Sequence, residues 1–339
     1  MTVPAASPLQ EAWLTRGATA WLLWPLSWLY RGVVALRTAG YQLGLLRSHR
    51  LPVPVLVVGN LIVGGAGKTP TTMALIHMLR AKGHRPGIVS RGYGRSSDAP
   101  QLVTRDTPAS AAGDEPLLMH LRTGAPVAVG ADRVAAAQLL LGAHPDLTVL
   151  VSDDGLQHRR LARDAQVIVF DERGGGNGWL LPAGPLREPV PAAVPPRSLV
   201  VYNASRPSTH LPGHLAERRL RCLAPLADWW AGHPATRAAF AALHGRRVVA
   251  AAGMARPQRF FDMLRAEGLQ IDELPLADHH PFTTLPWPAN ATDVIVTEKD
   301  AVKLRPERMG TTRVWVATLD FEIDAAIASQ LLPWLTPTT

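Results

Sequence analysis

The stretch GNLIVGGAGKTPTT, Gly59 to Thr72, directly follows the apolar run VPVLVV and carries the residue types of a loop that cradles phosphate. In such a loop successive backbone N–H groups converge on phosphate oxygens, and the helix that follows points its positive end at the same anion. Gly64, Gly65 and Gly67 supply the backbone freedom for that approach. Lys68 is placed to reach the β- and γ-phosphates of a nucleotide, and the Thr69 hydroxyl to ligate Mg²⁺. The usual pattern opens with a glycine where this chain has Ile62, which makes the loop a less strict version of that pattern. The expected nucleotide contacts run over Ile62, Val63, Gly64, Gly65, Ala66, Gly67, Lys68 and Thr69.

Other stretches carry groups that could work beside a nucleotide. LTVLVSDDGLQHRRL leads an apolar strand into Asp153 and Asp154, and an acid at such a strand end holds Mg²⁺ directly or through water. The same two acids could instead cap a turn before Gly155. GDEPLL sets Asp114 and Glu115 just before Pro116, a helix start at which capping competes with catalysis. PLADHHPF holds Asp278, His279 and His280; neighbouring histidines cannot share a helix face, so no His-x-x-x-His metal pair arises here. A histidine bonded to a carboxylate can orient a base. SRGYGR places Arg91 and Arg95 around Tyr93 and two glycines, which reads as a phosphate clamp or as a solvated basic turn. Arg187 lies in GPLRE, and Arg133 opens a helix in GADRVAAA.

These groups need a scaffold. The loop sits between a β-branched strand and TPTTMALIHMLRAKG, which has a helical period and stops at Gly83. PVLVVG, RPGIVSRG, APVAVG, LTVLVSDD, AQVIVF and SLVVYN are short and mostly unalternating, as strands buried on both faces are. The fold class predicted is α/β: a phosphate-loop parallel sheet flanked by helices, with a second, smaller α/β domain. The second series is RRVVAAAGM, the helical PQRFFDMLRAEG, DVIVTEKD and TRVWVATL. The expected division is 1–50, a membrane-associated helical segment; 51–215, the nucleotide domain; and 216–339, the second domain. Between Gly174 and Pro196 runs a Gly- and Pro-rich loop too long for a passive connector.

With 339 residues, 47% hydrophobic and 18% charged, the chain can bury more than one core. Its single cysteine, Cys222, excludes an internal disulfide framework and a cysteine-based zinc site. A net charge of +8 invites a nucleic-acid reading, but no basic run, helix-turn-helix or aromatic RNA signature accompanies it. A basic surface facing anionic lipid fits as well. Near the amino terminus, the apolar core Ala18 to Tyr30 contains Pro25 and is shorter than the roughly 20 residues a span needs. Trp21, Trp24 and Trp28 recur at helical spacing beside Arg31 and Arg37, the composition of a helix lying in the headgroup region.

VGNLIVGGAGKTP, SRGYGR, GDEP, DDGLQH, PLRE, DHHPF and TEKDAVK occur in that order, and together they resemble the tetraacyldisaccharide 4′-kinases, the lipid A 4′-kinases of Gram-negative bacteria. One loop would be weak evidence; seven ordered motifs are specific. That family also lacks the first glycine, so Ile62 is no departure, and Ala66 stands where Thr or Asn is frequent. The resemblance implies transfer of the ATP γ-phosphate to the 4′-hydroxyl of a tetraacylated disaccharide 1-phosphate, with ATP and Mg²⁺, at the cytoplasmic face of the inner membrane. It implies Asp114 as the base, His279 as its partner from the second domain, and Lys68 at the transferred phosphate. Thr69, Asp153 and Asp154 would serve Mg²⁺, and Arg91, Tyr93, Arg95, Arg133 and Arg187 would meet substrate. Membrane lipid is the other implied partner; neither nucleic acid nor an obligate protein partner is expected. A partitioning ATPase would want lysine at Val63, and the TEKD stretch has its lysine one place late for a GTPase base-reading motif.

Overall fold

The structure, a computed structural model, describes residues 13–336; residues 1–12 and 337–339, the outer parts of the expected segments 1–50 and 216–339, lie outside it. In the first half the strands are β1 (Val55–Gly59), β2 (Pro86–Ser90), β3 (Gln101–Val103), β4 (Val127–Val129), β5 (Val149–Asp153), β6 (Ala165–Asp171) and β7 (Ser198–Asn203). Then follow β8 (His214–Pro225), β9 (Arg247–Gly253), β10 (Gln270–Leu276), β11 (Asp293–Thr297) and β12 (Arg313–Ile323). They form one sheet in the order β10-β9-β11-β12-β8-β7-β6-β1-β5-β2-β4-β3. Only β8 with β12 and β3 with β4 pair antiparallel.

β1, β2, β5 and β7 are buried at every position, which is why their sequences show no alternation. One face of this half packs Leu75, Ile76 and Leu79 of the helix Lys68–Ala81 and Leu117 of the helix Asp114–Thr123 against Leu56, Val58 and Val151. The same core continues under Val294, Val296 and Val316. The other face packs Val134 and Leu140 of the helix Arg133–Ala143 against Val55, Val57 and Phe170. Phe260, Phe261 and Leu264 of the helix Gln258–Ala266 build a third core on β9.

Three strands escape the sequence pattern. β8 sets the exposed Glu217, Arg219 and Arg221 between more buried positions, and it runs across the expected boundary between residues 215 and 216. Its first residues, His214 and Leu215, pair with β7, whereas Ala216 to Pro225 pair with β12. β3 and β10 are sheet edges, one short and the other bearing Asp272 and Glu273.

The helix Ala18–Gln42 runs through Pro25, which withholds one backbone donor, because contacts on both sides hold it to the body. Ser27 Oγ donates to the Leu180 carbonyl at 2.8 Å and accepts from Ala183 N at 3.0 Å. Tyr30 Oη donates to the Arg187 carbonyl at 3.1 Å. The long Gly- and Pro-rich loop is therefore the seat of this helix. Trp24 lies tilted against Trp21 and edge-on to Trp28, and both Trp21 and Trp24 meet Trp179 of that loop. The outward face stays apolar, with Leu22 80%, Leu29 70% and Leu36 76% exposed. No helix among the described residues is long and apolar enough to cross a membrane.

Candidate active site

The glycine-rich turn links β1 to the helix Lys68–Ala81, and Gly67 caps that helix with φ 95°. A side chain at Gly67 would be strained and would strike Asn203, whose Nδ2 donates to the Ala66 carbonyl at 3.3 Å. Arg173 pins the turn from outside, donating to the carbonyls of Val63 and Gly65 at 3.2 Å each, while Asp171 holds its guanidinium. Ile62 is buried and bridges to Leu186, and Val63 N is already bonded to the Pro185 carbonyl at 2.9 Å. The N–H groups open to an anion therefore begin at Gly64, later than the sequence pattern starts. The Thr69 hydroxyl makes no hydrogen bond with the described residues.

Lys68 Nζ is held by Asn60 Oδ1 at 3.2 Å and lies 3.7 Å from Asp154 Oδ1. Asn60 also donates to the Gly64 carbonyl at 3.1 Å, so one side chain sets both loop and lysine. Arg187 Nη1 meets Asp154 Oδ1 at 3.0 Å, and Arg133 Nη2 reaches the Asp154 carbonyl at 3.5 Å. Arg91 is near enough to depress the Arg133 guanidinium, after burial. Burial pushes the Asp154 carboxyl up, but Lys68, Arg187 and Arg133 pull harder, and the net is below its ordinary value. Asp153 is the inner acid, accepting from Thr72 Oγ1 at 3.0 Å and Ser90 Oγ at 3.5 Å.

The Asp153 carboxyl is pushed up to about 7, by burial first and then by the charges of Glu115 and Asp154. It binds its proton more tightly in the folded chain than in the unfolded one. The stability it contributes is present below its ordinary value of 3.8 and is lost as pH rises through about 7. Asp153→Asn is therefore expected to raise the melting temperature of the nucleotide- and cation-free protein by several degrees at pH 8 and by little at pH 5. Equal shifts at both pH values, read by calorimetry, would contradict the buried-charge account.

Asp114 is the first residue of its helix, yet its side chain caps nothing. His279 Nδ1 is 3.0 Å from Asp114 Oδ2, and Lys303 Nζ is 3.4 Å from the same oxygen. Neither uses Oδ1. Burial raises this carboxyl, but the His279 hydrogen bond and the Lys303 charge lower it further, so it is ionised at neutral pH. His279 sits in a turn with φ 59°, and the Tyr93 ring lies 5.4 Å from its imidazole. Gly92 and Gly113 bring the two motifs together: a Cβ on Gly113 would come within 3.0 Å of Gly92 Cα.

The strands β1, β5, β2 and β4 thus deliver these groups at their carboxyl ends, where open α/β sheets place ligands. Arg95 is the exception: its guanidinium turns onto the Ala99 carbonyl in its own loop. Sequence reasoning passed over Asn60, Glu115 as a neighbour of Asp153, and Gln157, which bonds both Asn60 and Arg187. Asn60 lies in VGNLIVGGAGKTP and Gln157 in DDGLQH, and the signal for Asn60 is a polar residue directly after the end of β1.

The family model described as tetraacyldisaccharide-1-P 4′-kinase matches residues 19–336. This chain belongs to the tetraacyldisaccharide-1-P 4′-kinase family. It is 56% identical to a protein named tetraacyldisaccharide 4′-kinase from Methylibium petroleiphilum, over 98% of this chain and 95% of that one. A protein of the same name from Leptothrix cholodnii is 55% identical over 96% and 95%. The fold is similar to crystalline LpxK from Aquifex aeolicus, solved in complex with ATP, with a TM-score of 0.78 and 28% identity over 94% of this chain and 99% of that one.

Proposed function

We propose that this chain is an ATP-dependent kinase that transfers the γ-phosphate to the 4′-hydroxyl of a tetraacylated disaccharide 1-phosphate, the step that yields lipid IVA in lipid A biosynthesis. The observation that carries the chemistry is Asp114 held through one oxygen by His279 and Lys303, with its other oxygen uncommitted. The acceptor hydroxyl gives its proton to Asp114 Oδ1 as its oxygen bonds to the γ-phosphorus. The bond from that phosphorus to the β-bridging oxygen breaks, and ADP leaves. Phosphoryl transfer through a loose transition state is catalysed mainly by positioning and charge neutralisation. Backbone N–H groups from Gly64 to Thr69 and the Lys68 ammonium hold the nucleotide phosphates. Arg91, Arg133 and Arg187 meet phosphates of nucleotide or acceptor, and Tyr93 borders the acceptor beside His279; Arg95 serves there only if it leaves Ala99.

Thr69, Asp153 and Asp154 are the groups for Mg²⁺. Mg²⁺ is held by one or two carboxylates plus substrate phosphates rather than by a protein cage, and a bound cation would favour the ionised form of a buried Asp153 that is pushed up to about 7 without one. When bound, Mg²⁺ neutralises charge on the transferring phosphates.

Residues 51–215 and 216–339 act as two lobes, with Asp114 on one and His279 on the other, and β8 is their joint. The exposed face of the helix Ala18–Gln42 lies in the cytoplasmic side of the inner membrane, where the acyl chains keep the acceptor. Each large apolar side chain taken out of water is worth about 1.5–3 kcal/mol, so a few suffice for peripheral binding. Replacing Leu22, Leu29 and Leu36 together with Gln should release the protein from anionic vesicles and lower transfer to the acylated acceptor at least severalfold. ATP hydrolysis and thermal stability should stay near their starting values. Unchanged sedimentation with vesicles would remove the membrane assignment. The activity itself is tested by transfer of ³²P from ATP to the acylated disaccharide 1-phosphate in detergent; no labelled lipid product would overturn it.

A further inference from the structure

TEKDAVK places four charged groups on and just after the short helix Glu298–Ala301, and each has its own partners. Asp300 is fully buried, accepts from Gly253 N at 2.9 Å and pairs with Lys303 at 3.2 Å. Glu298 meets Arg122 of the helix Asp114–Thr123 and accepts from Trp229 Nε1 at 3.0 Å. These bonds anchor the turn against the helix that carries Asp114. The two lysines go to the Asp114–His279 pair. Lys303 meets Asp114, as described. Lys299 Nζ lies 3.3 Å from His279 Nε2, 3.0 Å from Asp278 Oδ1 and 3.8 Å from Glu115 Oε1.

An ammonium has donors and no acceptor, so the ring nitrogen facing Lys299 carries the lone pair. The imidazole proton is then on Nδ1, the nitrogen that faces Asp114, because the bond made by one ring nitrogen sets the state of the other. The groups around His279 are Asp114 and Glu115 from their helix, Asp278 from its own loop, Lys299 and Lys303 from the TEKDAVK turn, and the Tyr93 ring. Asp278 Oδ1 is 3.9 Å from Nε2 and would favour a second proton there, but that oxygen is taken by Lys299. Burial lowers the Lys299 ammonium, and Glu115 and Asp278 raise it more, so it stays charged.

We propose that Lys299 is a positioning residue for the phosphoryl transfer: it holds His279 neutral, with its proton on Nδ1, and masks Asp278. His279 then supports the Asp114 carboxylate as a donor and does not become an imidazolium that weakens the base. This rests on the Asp114–His279 reading above. Without Lys299 the ring lies between two carboxylates and takes up a second proton.

The test is the pH dependence of kcat for the full chain with saturating ATP and acylated acceptor, beside ¹⁵N spectra of the histidine rings with His279→Gln as the assignment control. Lys299→Met should lose roughly tenfold in kcat at pH 6 and recover towards the wild-type rate by pH 9, as its histidine loses the extra proton. The KM for ATP should not move, and Lys299→Arg should restore most of the rate. Adding Asp278→Asn to Lys299→Met should return the profile towards wild type, which a merely structural lysine would not do. A Lys299→Met profile parallel to wild type, with the His279 ring still neutral, would overturn the proposal. If His279→Ala lowers kcat in that case, the Asp114–His279 pair stands and only the role of Lys299 fails. An unaltered kcat in His279→Ala would overturn both.

Discussion

Asp114→Asn is expected to leave a folded protein with near-normal ATP binding and a kcat lowered by roughly 10²–10⁴-fold, the usual worth of general-base assistance. Asparagine has nearly the same size and can still accept the bond from His279 Nδ1, but its amide takes no proton. Nor is helix capping at stake, because the Asp114 side chain caps nothing. The cost to folding is confined to the ion pair with Lys303, which keeps Asp300 as a partner at 3.2 Å. His279→Ala should lose less, since the histidine orients the carboxylate rather than accepting the proton first. The double variant should fall short of the product of the two losses if the residues act as one unit. Single-turnover transfer and a melting curve decide the matter together: near-wild-type kcat in folded Asp114→Asn would leave the reaction without its base.

Lys68→Ala should be of similar size and differ in kind. The ammonium is the one cation inside the glycine-rich turn, and removing a preorganised charge from developing phosphate charge costs orders of magnitude in rate. In the resting site the same change takes a cation from Asp154 and a donor from Asn60. Arg187 still pairs with Asp154 at 3.0 Å, so that acid is not left unpaired, and folding should survive. Turnover should drop by at least about 10²-fold, with nucleotide affinity reduced as well. Transfer at the normal rate by folded Lys68→Ala would remove the phosphate-loop assignment.

The two experiments probe parts of the site that were legible to different degrees. The turn after β1 is one contiguous stretch whose chemistry is written in adjacent residues, so its position, the strand before it and the helix after it could all be read. Even there, the commitment of Val63 N to Pro185 was invisible, because the partner lies in a distant loop. Asp114 was ambiguous between cap and base on its own letters. Its partner is 165 positions away, and only the packing of the TEKDAVK turn against the helix Asp114–Thr123 joins them.

Sequence alone determined the α/β class, the glycine-rich turn, the acids at the end of β5 and an amino-terminal helix too short in its apolar core to span a membrane. Those features depend on periodicity and on neighbouring residues, so local chemistry specifies them. Tertiary structure decided the rest: which oxygen of Asp114 is free, which ring nitrogens of His279 face Asp114 and Lys299, and that Arg95 bonds the Ala99 carbonyl of its own loop. It also decided that β8 joins both halves into one sheet and that a Gly- and Pro-rich loop seats the amino-terminal helix. Each of these turns on contacts between residues far apart in the chain, where burial and neighbouring charge, rather than residue type, set what a side chain can do.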